Sequence, residues 1–278
     1  MITTKPLLPK DVPRVSVVMA LNRIDSYLEP AVRSILAQTF NDFEFLIIVD
    51  AGCGGVNAEL PAVCRHDPRI RIIEAPSIGG FVYALNTGIA EAKGEFVARM
   101  DGDDISKPDR LMEQVAYLDD HKDVGVLGCR AQLIDSHSQI LVRQYPYFQS
   151  NEDIRRVLPY RNPLLHPALM FRKETLFSVG GYRYGHTSED HEMFIRMSRN
   201  SKIKFHNLDK VLYEYRRHDS QATRPERIRV SYFEISGFLF TEFLMTHSPK
   251  YLFGMLVVHP WARKTRMLFR RMRYGTSS

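Results

Sequence analysis

Three cysteines in 278 residues, Cys53, Cys64 and Cys129, are too few and too scattered for a disulfide framework, and none forms a C-x-x-C pair. The odd number fits a reducing compartment and packing roles, with structural zinc as the alternative. No apolar stretch is long enough to span a bilayer, and "YLFGMLVV" (251–258) falls well short. The opening "MITTKPLLPKDVPR" has no long apolar core behind a basic start, so no secretory leader is expected and the protein is placed in the cytoplasm. Internal repeats and low-complexity tracts are missing. So is a dinucleotide fingerprint: "GCGG" at 52–55 lacks the third glycine spacing and follows the second apolar run instead of the first, which removes an oxidoreductase reading. Finally, no acidic residue follows Glu242, whereas Lys250, Arg263, Lys264, Arg266, Arg270, Arg271 and Arg273 do. Of the formal net charge of +6, about −1 belongs to the first 242 residues. The basicity is confined to the tail, so nucleic acid is not an expected partner.

What is present has the balance of a globular protein, 44% hydrophobic and 25% charged. "RVSVVMAL" (14–21), "FEFLIIVD" (43–50), "RIRIIEA" (69–75) and "EFVARM" (95–100) are short apolar runs of the kind buried on both faces of a sheet. Between them, "YLEPAVRSILAQ" (27–38) and "FVYALNTGIAEAKG" (81–94) have helical spacing, with Pro30 in a first turn and Gly94 as a C-terminal cap. Alternating strands and helices predict an α/β fold with a mostly parallel central sheet flanked by helices. Further on we expect a helix over 109–121, short strands at "VGVLG" and "RAQLI", and an irregular stretch to 165. After it come a strand, helix and Gly-Gly turn over 164–182, a helix over 189–200, and a strand from 210 into a polar loop.

Ligands of such sheets bind beyond the carboxyl ends of the strands. Asp50 ends one run and Asp101-Gly102-Asp103-Asp104 follows another, so the two acidic positions are expected to be neighbours in space. Asp101-x-Asp103 puts two carboxylates within reach of one hard divalent cation. The spacing alone is weak, since about four acid-x-acid triplets arise by chance at this composition. A solvated turn before the helix at Pro108 is the alternative.

The blocks "VSVVMALN", "YLEPAVRSILAQTFNDFEFLIIVD", "ALNTGIAEAKGEFVARMDGDDISKPDRL", "HPALMFRKETLFSVGGY", "SEDHEMFIRM" and "YRRHDSQ" occur in order between about residues 14 and 222. Together they resemble the family 2 glycosyltransferases, inverting enzymes with the GT-A fold. The resemblance implies a nucleotide-binding role for Asp50, Asp101, Ala20 and Asn22. It implies a Mn²⁺ or Mg²⁺ site at Asp103 and Asp101, with His218 reaching the metal or the diphosphate. Asp190 matches the catalytic base that takes the acceptor hydroxyl's proton. The family often has two acids at the Asp50 position, whereas here Val49 precedes it and "AGCGG" follows, which loosens the preference for uridine. By local sequence, Glu189 and Asp190 equally well complement a helix dipole, and Glu189 is also a candidate diphosphate or acceptor contact.

Other residues carry two readings each. Arg216 and Arg217 suit diphosphate oxygens or are solvated on a strand. His166 lines an acceptor site or is a satisfied structural histidine. From Pro260 onward, Trp261, Thr265, Leu268, Phe269 and Met272 fall on one arc at helical spacing, opposite Arg263, Arg266, Arg270 and Arg273. Such a helix docks on an anionic inner-leaflet surface, or packs on the domain with a solvated basic face. The expected organisation is a catalytic domain over 1–225, with its nucleotide half at 14–110 and its acceptor half at 111–225. A helical, basic C-terminal extension over 226–278 follows. The expected activity is metal-dependent, inverting transfer from a nucleotide-sugar donor, UDP-linked, to a glycan or lipid-linked glycan acceptor of bacterial cell-surface polysaccharide. A nucleotidyltransferase lacks support because "MALNRID" is not a Gly-rich, Arg-containing loop. A non-catalytic sugar-nucleotide-binding protein would have lost acids that are all present.

Overall fold

A computed structural model of the chain describes residues 12–51, 60–76, 80–183, 187–218 and 228–259. Four of the apolar runs form β1 (Val15–Leu21), β2 (Phe43–Asp50), β3 (Ile70–Ala75) and β4 (Phe96–Met100). They pair in parallel in the spatial order β3-β2-β1-β4. The side-chain alternation of a strand divides β1 between two cores. Val15, Val17, Met19 and Leu21 meet Leu28, Ala31, Val32 and Ile35 of helix α1 (Leu28–Leu36). Val18 and Ala20 meet Ala84, Leu85 and Ile89 of a helix on the opposite face, Gly80–Glu91. A single turn, α2 (Val63–His66), precedes β3, so this second covering helix is α3. Removing both faces of β1 and β2 from water explains why these segments contain almost no polar residue.

Gly94, expected as a helix cap, lies beyond α3, which ends at Glu91. Its backbone passes so close to β1 that a Cβ would stand 2.6 Å from the Ser16 nitrogen. There its N–H donates to Ser16 Oγ at 2.8 Å. The need for glycine is one of close approach, not of helix termination.

The sheet continues past β4 as β8-β6-β9-β5. In chain order the elements are β5 (Ile105–Ser106), α4 (Arg110–Asp120), β6 (Val124–Ile134), β7 (Ile140–Gln144), α5 (Asn151–Val157), a 3₁₀ turn at His166–Ala168, β8 (Met170–Arg172), α6 (Lys173–Val179), α7 (Glu189–Met197) and β9 (Lys204–Arg216). β8 runs antiparallel between β4 and β6, while β9 is parallel to β6. The two short strands expected at 124–134 are one strand whose register shifts around Cys129 and Arg130. The stretch expected to be irregular up to 165 contains β7 and α5. Gly180, at φ 73°, ends α6 in the left-handed region, as the Gly-Gly turn requires.

After β9, α8 (Ile228–Thr246) and α9 (Pro249–Val258) form a hairpin. It is tied to the sheet domain by an ion pair between Arg199 and Glu242 and by Gly254, where a Cβ would stand 2.3 Å from the Pro159 carbonyl oxygen. The amphipathic pattern from Pro260 lies outside the described residues, as does Cys53. Cys64 and Cys129 are buried free thiols in packing positions.

Candidate active site

Strand register sets the acids on one edge. Met19 of β1 pairs with Ile47 of β2 on one side and Met100 of β4 on the other. Asp50 and Asp101 therefore both emerge at the carboxyl ends, flanking β1, about 10 Å apart by two strand spacings. Ala20, buried, and Asn22, exposed, lie on β1 and just past it, between them. The residues following Ala51 lie outside the described set.

The β4–β5 turn carries Asp101, Asp103 and Asp104, whose carboxylate oxygens gather within 4.8 Å of one another. The antiparallel pairing of Ile105 with Glu214 brings this turn beneath the end of β9, and so beneath Arg216 and His218. Each acid has a different environment. Asp104 is fully buried and both its oxygens are engaged, Oδ1 by the Arg216 N–H at 2.7 Å and Oδ2 by the Tyr213 hydroxyl at 3.0 Å. Burial, with the neighbouring Asp103 and Asp101 charges, pushes its carboxyl well above the usual range. Asp103 Oδ2 lies 2.9 Å from His218 Nε2 and 3.3 Å from an Arg23 nitrogen. Asp101 is ion-paired with Arg99, and burial raises its pKa despite that partner. Asp101, Asp103 and Asp104 offer carboxylate oxygens that could hold a divalent cation, and the His218 imidazole adjoins them through Asp103. Asp104 lies in the same cluster but holds the loop.

Arg216 is 1% exposed. Its guanidinium donates to the Asp103 carbonyl at 2.7 Å, to the Asp135 carbonyl at 3.0 Å and to Ser138 Oγ at 2.9 Å, and sits over the Tyr27 ring. Those bonds brace the acidic turn, so the diphosphate reading of Arg216 gives way to a positioning one. Arg217 is exposed at the same end of β9.

Glu189 and Asp190 open α7, where the helix dipole favours negative charge. Asn162 Nδ2 donates to Asp190 Oδ2 at 2.7 Å and the His191 N–H to Oδ1 at 2.6 Å. Burial nevertheless pushes the Asp190 carboxyl up to about 6, and the Asp101 charge adds to the effect. The two acidic sites are thus electrostatic neighbours. Glu189 rises further, to about 8, from burial first and from Asp190 second. His166 is buried, with Nε2 2.5 Å from the Tyr182 hydroxyl and its ring edge-on to Phe194. Burial and the Arg99 charge keep it neutral, well below the usual histidine range. It has the surroundings of a structural histidine.

Two participants escape the sequence reading. Arg99, 2% exposed near the carboxyl end of β4, is a buried cation behind Asp101 whose charge also reaches Glu189. A lone basic residue inside an apolar strand run was the available signal. Arg23, just after β1, is paired with Asp25 and Asp103. Nothing local in "MALNRID" distinguishes it from a solvated arginine.

Residues 16–181 match the family described as Glycosyl transferase family 2. The chain is 33% identical over 232 residues to the O-antigen biosynthesis glycosyltransferase WbnJ of Escherichia coli, covering 83% of this chain and 89% of that protein. It is 28% identical over 234 residues to the UDP-Gal:alpha-D-GlcNAc-diphosphoundecaprenol beta-1,3-galactosyltransferase of Escherichia coli, covering 82% of each. In fold it is similar to the mannosyltransferase PcManGT from Pyrobaculum calidifontis, solved in complex with GDP-Man and Mn²⁺. That likeness has a TM-score of 0.63 at 18% identity, over 97% of this chain and 77% of that one. The fold is therefore of the GT-A type, and with the family match running through both strands that carry the acidic edge, the chain belongs to glycosyl transferase family 2.

Proposed function

We propose that the protein is a metal-dependent, inverting glycosyltransferase that moves a sugar from a UDP-linked donor to a hydroxyl of a lipid-linked glycan in cell-surface polysaccharide synthesis. The observation that carries this reading is that two unlike acidic sites lie within electrostatic reach of each other: the carboxylate cluster of Asp101, Asp103 and Asp104, with His218 against Asp103, and the buried acidic pair Glu189 and Asp190. The name of the galactosyltransferase relative supports a UDP-sugar and a diphospholipid-linked acceptor, and that of WbnJ supports the polysaccharide context. PcManGT, bound to Mn²⁺, supports the metal.

A divalent ion held by Asp103, with Asp101 and His218, would stabilise the negative charge of the departing diphosphate. The rest is done by side chains of this chain. Asp50, Ala20 and Asn22 border the space for the nucleoside, and Arg23 stands where it can turn from Asp103 towards phosphate oxygens. Asp190 takes the acceptor hydroxyl's proton, its carboxylate held by Asn162 and the His191 N–H. Attack from the face opposite the leaving group is a single displacement and inverts the anomeric centre. Titration calorimetry with UDP, GDP and dTDP, with and without Mn²⁺, tests the donor side. Mn²⁺-dependent binding of UDP above the others is expected, and metal-independent binding would remove the cluster from the mechanism.

A further inference from the structure

The α8–α9 hairpin has a face that the catalytic reading does not use. Along α8, Phe233, Phe240, Leu244 and Met245 are 71%, 46%, 57% and 60% exposed. Phe233, Phe240 and Leu244 recur at the spacing of one helix face, with Met245 one position further round. Gly237 lies on the same stripe, where an added Cβ would meet nothing within 4 Å. On α9, Leu252, Phe253 and Leu256 continue the exposed apolar surface. The opposite faces do the packing, through Ile235 and Leu239 on α8 and Tyr251, Gly254 and Val258 on α9.

Charge is distributed with the same polarity. The hairpin has only two acids after Ile228, Glu234 and Glu242, and both turn towards the sheet domain. Glu234 accepts from the Thr187 N–H and hydroxyl, and Glu242 is ion-paired with Arg199 and 3% exposed. The exposed apolar face therefore carries no carboxylate. The sequence that continues from it past His259 holds six basic residues and no acid, with Trp261 and Phe269 among them. An apolar face without carboxylates, followed in sequence by a segment whose charged residues are all cationic, is complementary to the headgroup and acyl boundary of an anionic bilayer. Among the described residues no helix is long and apolar enough to cross a membrane, so contact would be at the surface.

We propose that the outer face of the α8–α9 hairpin, formed by Phe233, Phe240, Leu244, Leu252, Phe253 and Leu256, seats the protein on an anionic lipid surface, the cationic segment beyond His259 adding electrostatic attraction. The hairpin begins beside the acidic pair: Ser231 Oγ lies 2.9 Å from Ser188 Oγ, immediately before Glu189. The proposal goes beyond the catalytic reading and does not require it.

The test uses the full chain and two vesicle preparations, phosphatidylcholine alone and phosphatidylcholine mixed with phosphatidylglycerol, read by flotation at low and high salt. The wild-type protein is expected to float with the anionic vesicles. Substituting three exposed residues together, Phe240→Ser, Leu244→Ser and Leu256→Ser, is expected to lower partitioning at least about tenfold, from lost apolar burial. The melting temperature and the donor hydrolysis rate in solution should be unchanged, since none of these side chains supports the core. High salt should weaken wild-type binding without abolishing it. Failure of the wild type to float, equal flotation with neutral vesicles, or equal partitioning of the triple variant would each overturn the proposal. So would light scattering that shows a dimer dissociated by the triple variant. Solution donor hydrolysis reads the catalytic proposal separately, so the two can fail independently.

Discussion

The two acidic regions of the site solve the burial of carboxylates in opposite ways. At the end of β4, three acids are drawn together and surrounded by cations and donors: Arg99 on Asp101, Arg23 and His218 on Asp103, Tyr213 and the Arg216 N–H on Asp104. At the start of α7, no ion pair is made to Glu189 or Asp190 among the described residues, and Asp190 is held by neutral donors only. Burial with counter-charge gathers three carboxylates that could hold a cation. Burial without an ion pair leaves the Glu189 and Asp190 carboxyls raised, to about 8 and about 6, even though the Arg99 charge reaches Glu189. The comparison teaches that residue type alone does not set how a buried acid is held; its partners do.

Breaking the second region is expected to have the largest effect. Asp190→Asn keeps the size and removes the base, so turnover should fall by about 10²- to 10⁴-fold while Mn²⁺-dependent UDP binding stays near wild type. Parallel kinetics and calorimetry check it, with Glu189→Gln as the less affected control; a dead Glu189→Gln enzyme beside an active Asp190→Asn would reverse the roles. Breaking the first region should do the converse. Asp103→Ala is expected to abolish the Mn²⁺-dependent part of UDP affinity, because the cation loses a hard ligand, and calorimetry with and without Mn²⁺ reads this directly.

Two smaller effects sharpen the contrast. A base is active only when ionised, so kcat/KM should rise about tenfold per pH unit up to a limb near the Asp190 value of about 6, then level. A profile flat down to pH 4 would exclude Asp190 as the base. Glu189 carries a folded-state pKa raised to about 8, so its ionisation opposes folding as pH rises from its unfolded value towards the folded one. Glu189→Gln should therefore raise the melting temperature at pH 8 more than at pH 5, by about 2–4 °C for each kcal/mol recovered. Equal shifts at both pH values would mean that the gain is not electrostatic.

The α/β fold was legible because its first half is written in local patterns. β1 to β4 are apolar runs bounded by polar turns, α1 and α3 have helical spacing, and both depend on neighbours a few residues away. The positions of Asp50 and Asp101 at strand ends followed from the same runs. Less of the second half was legible. β8 is three residues long and inserts antiparallel beside β4, a choice made by partners more than seventy residues away. β6 reads as two strands because the shifts in its pairing with β9 have no local mark.

By itself, then, the sequence determined the strand and helix order of the first half and the acidic edge at Asp50 and Asp101, the latter within the residues that match the family. Only the tertiary structure decided what each charged residue does there. It turned Arg216 from a diphosphate candidate into a buried brace, made Asp104 a loop anchor, put Arg99 behind Asp101, and directed both hairpin acids inward so that an apolar face was left outside. The reason is physical: secondary structure follows from local sterics and periodic burial, whereas the role of a charge depends on its solvation and on the partners within a few ångströms, which distant segments supply.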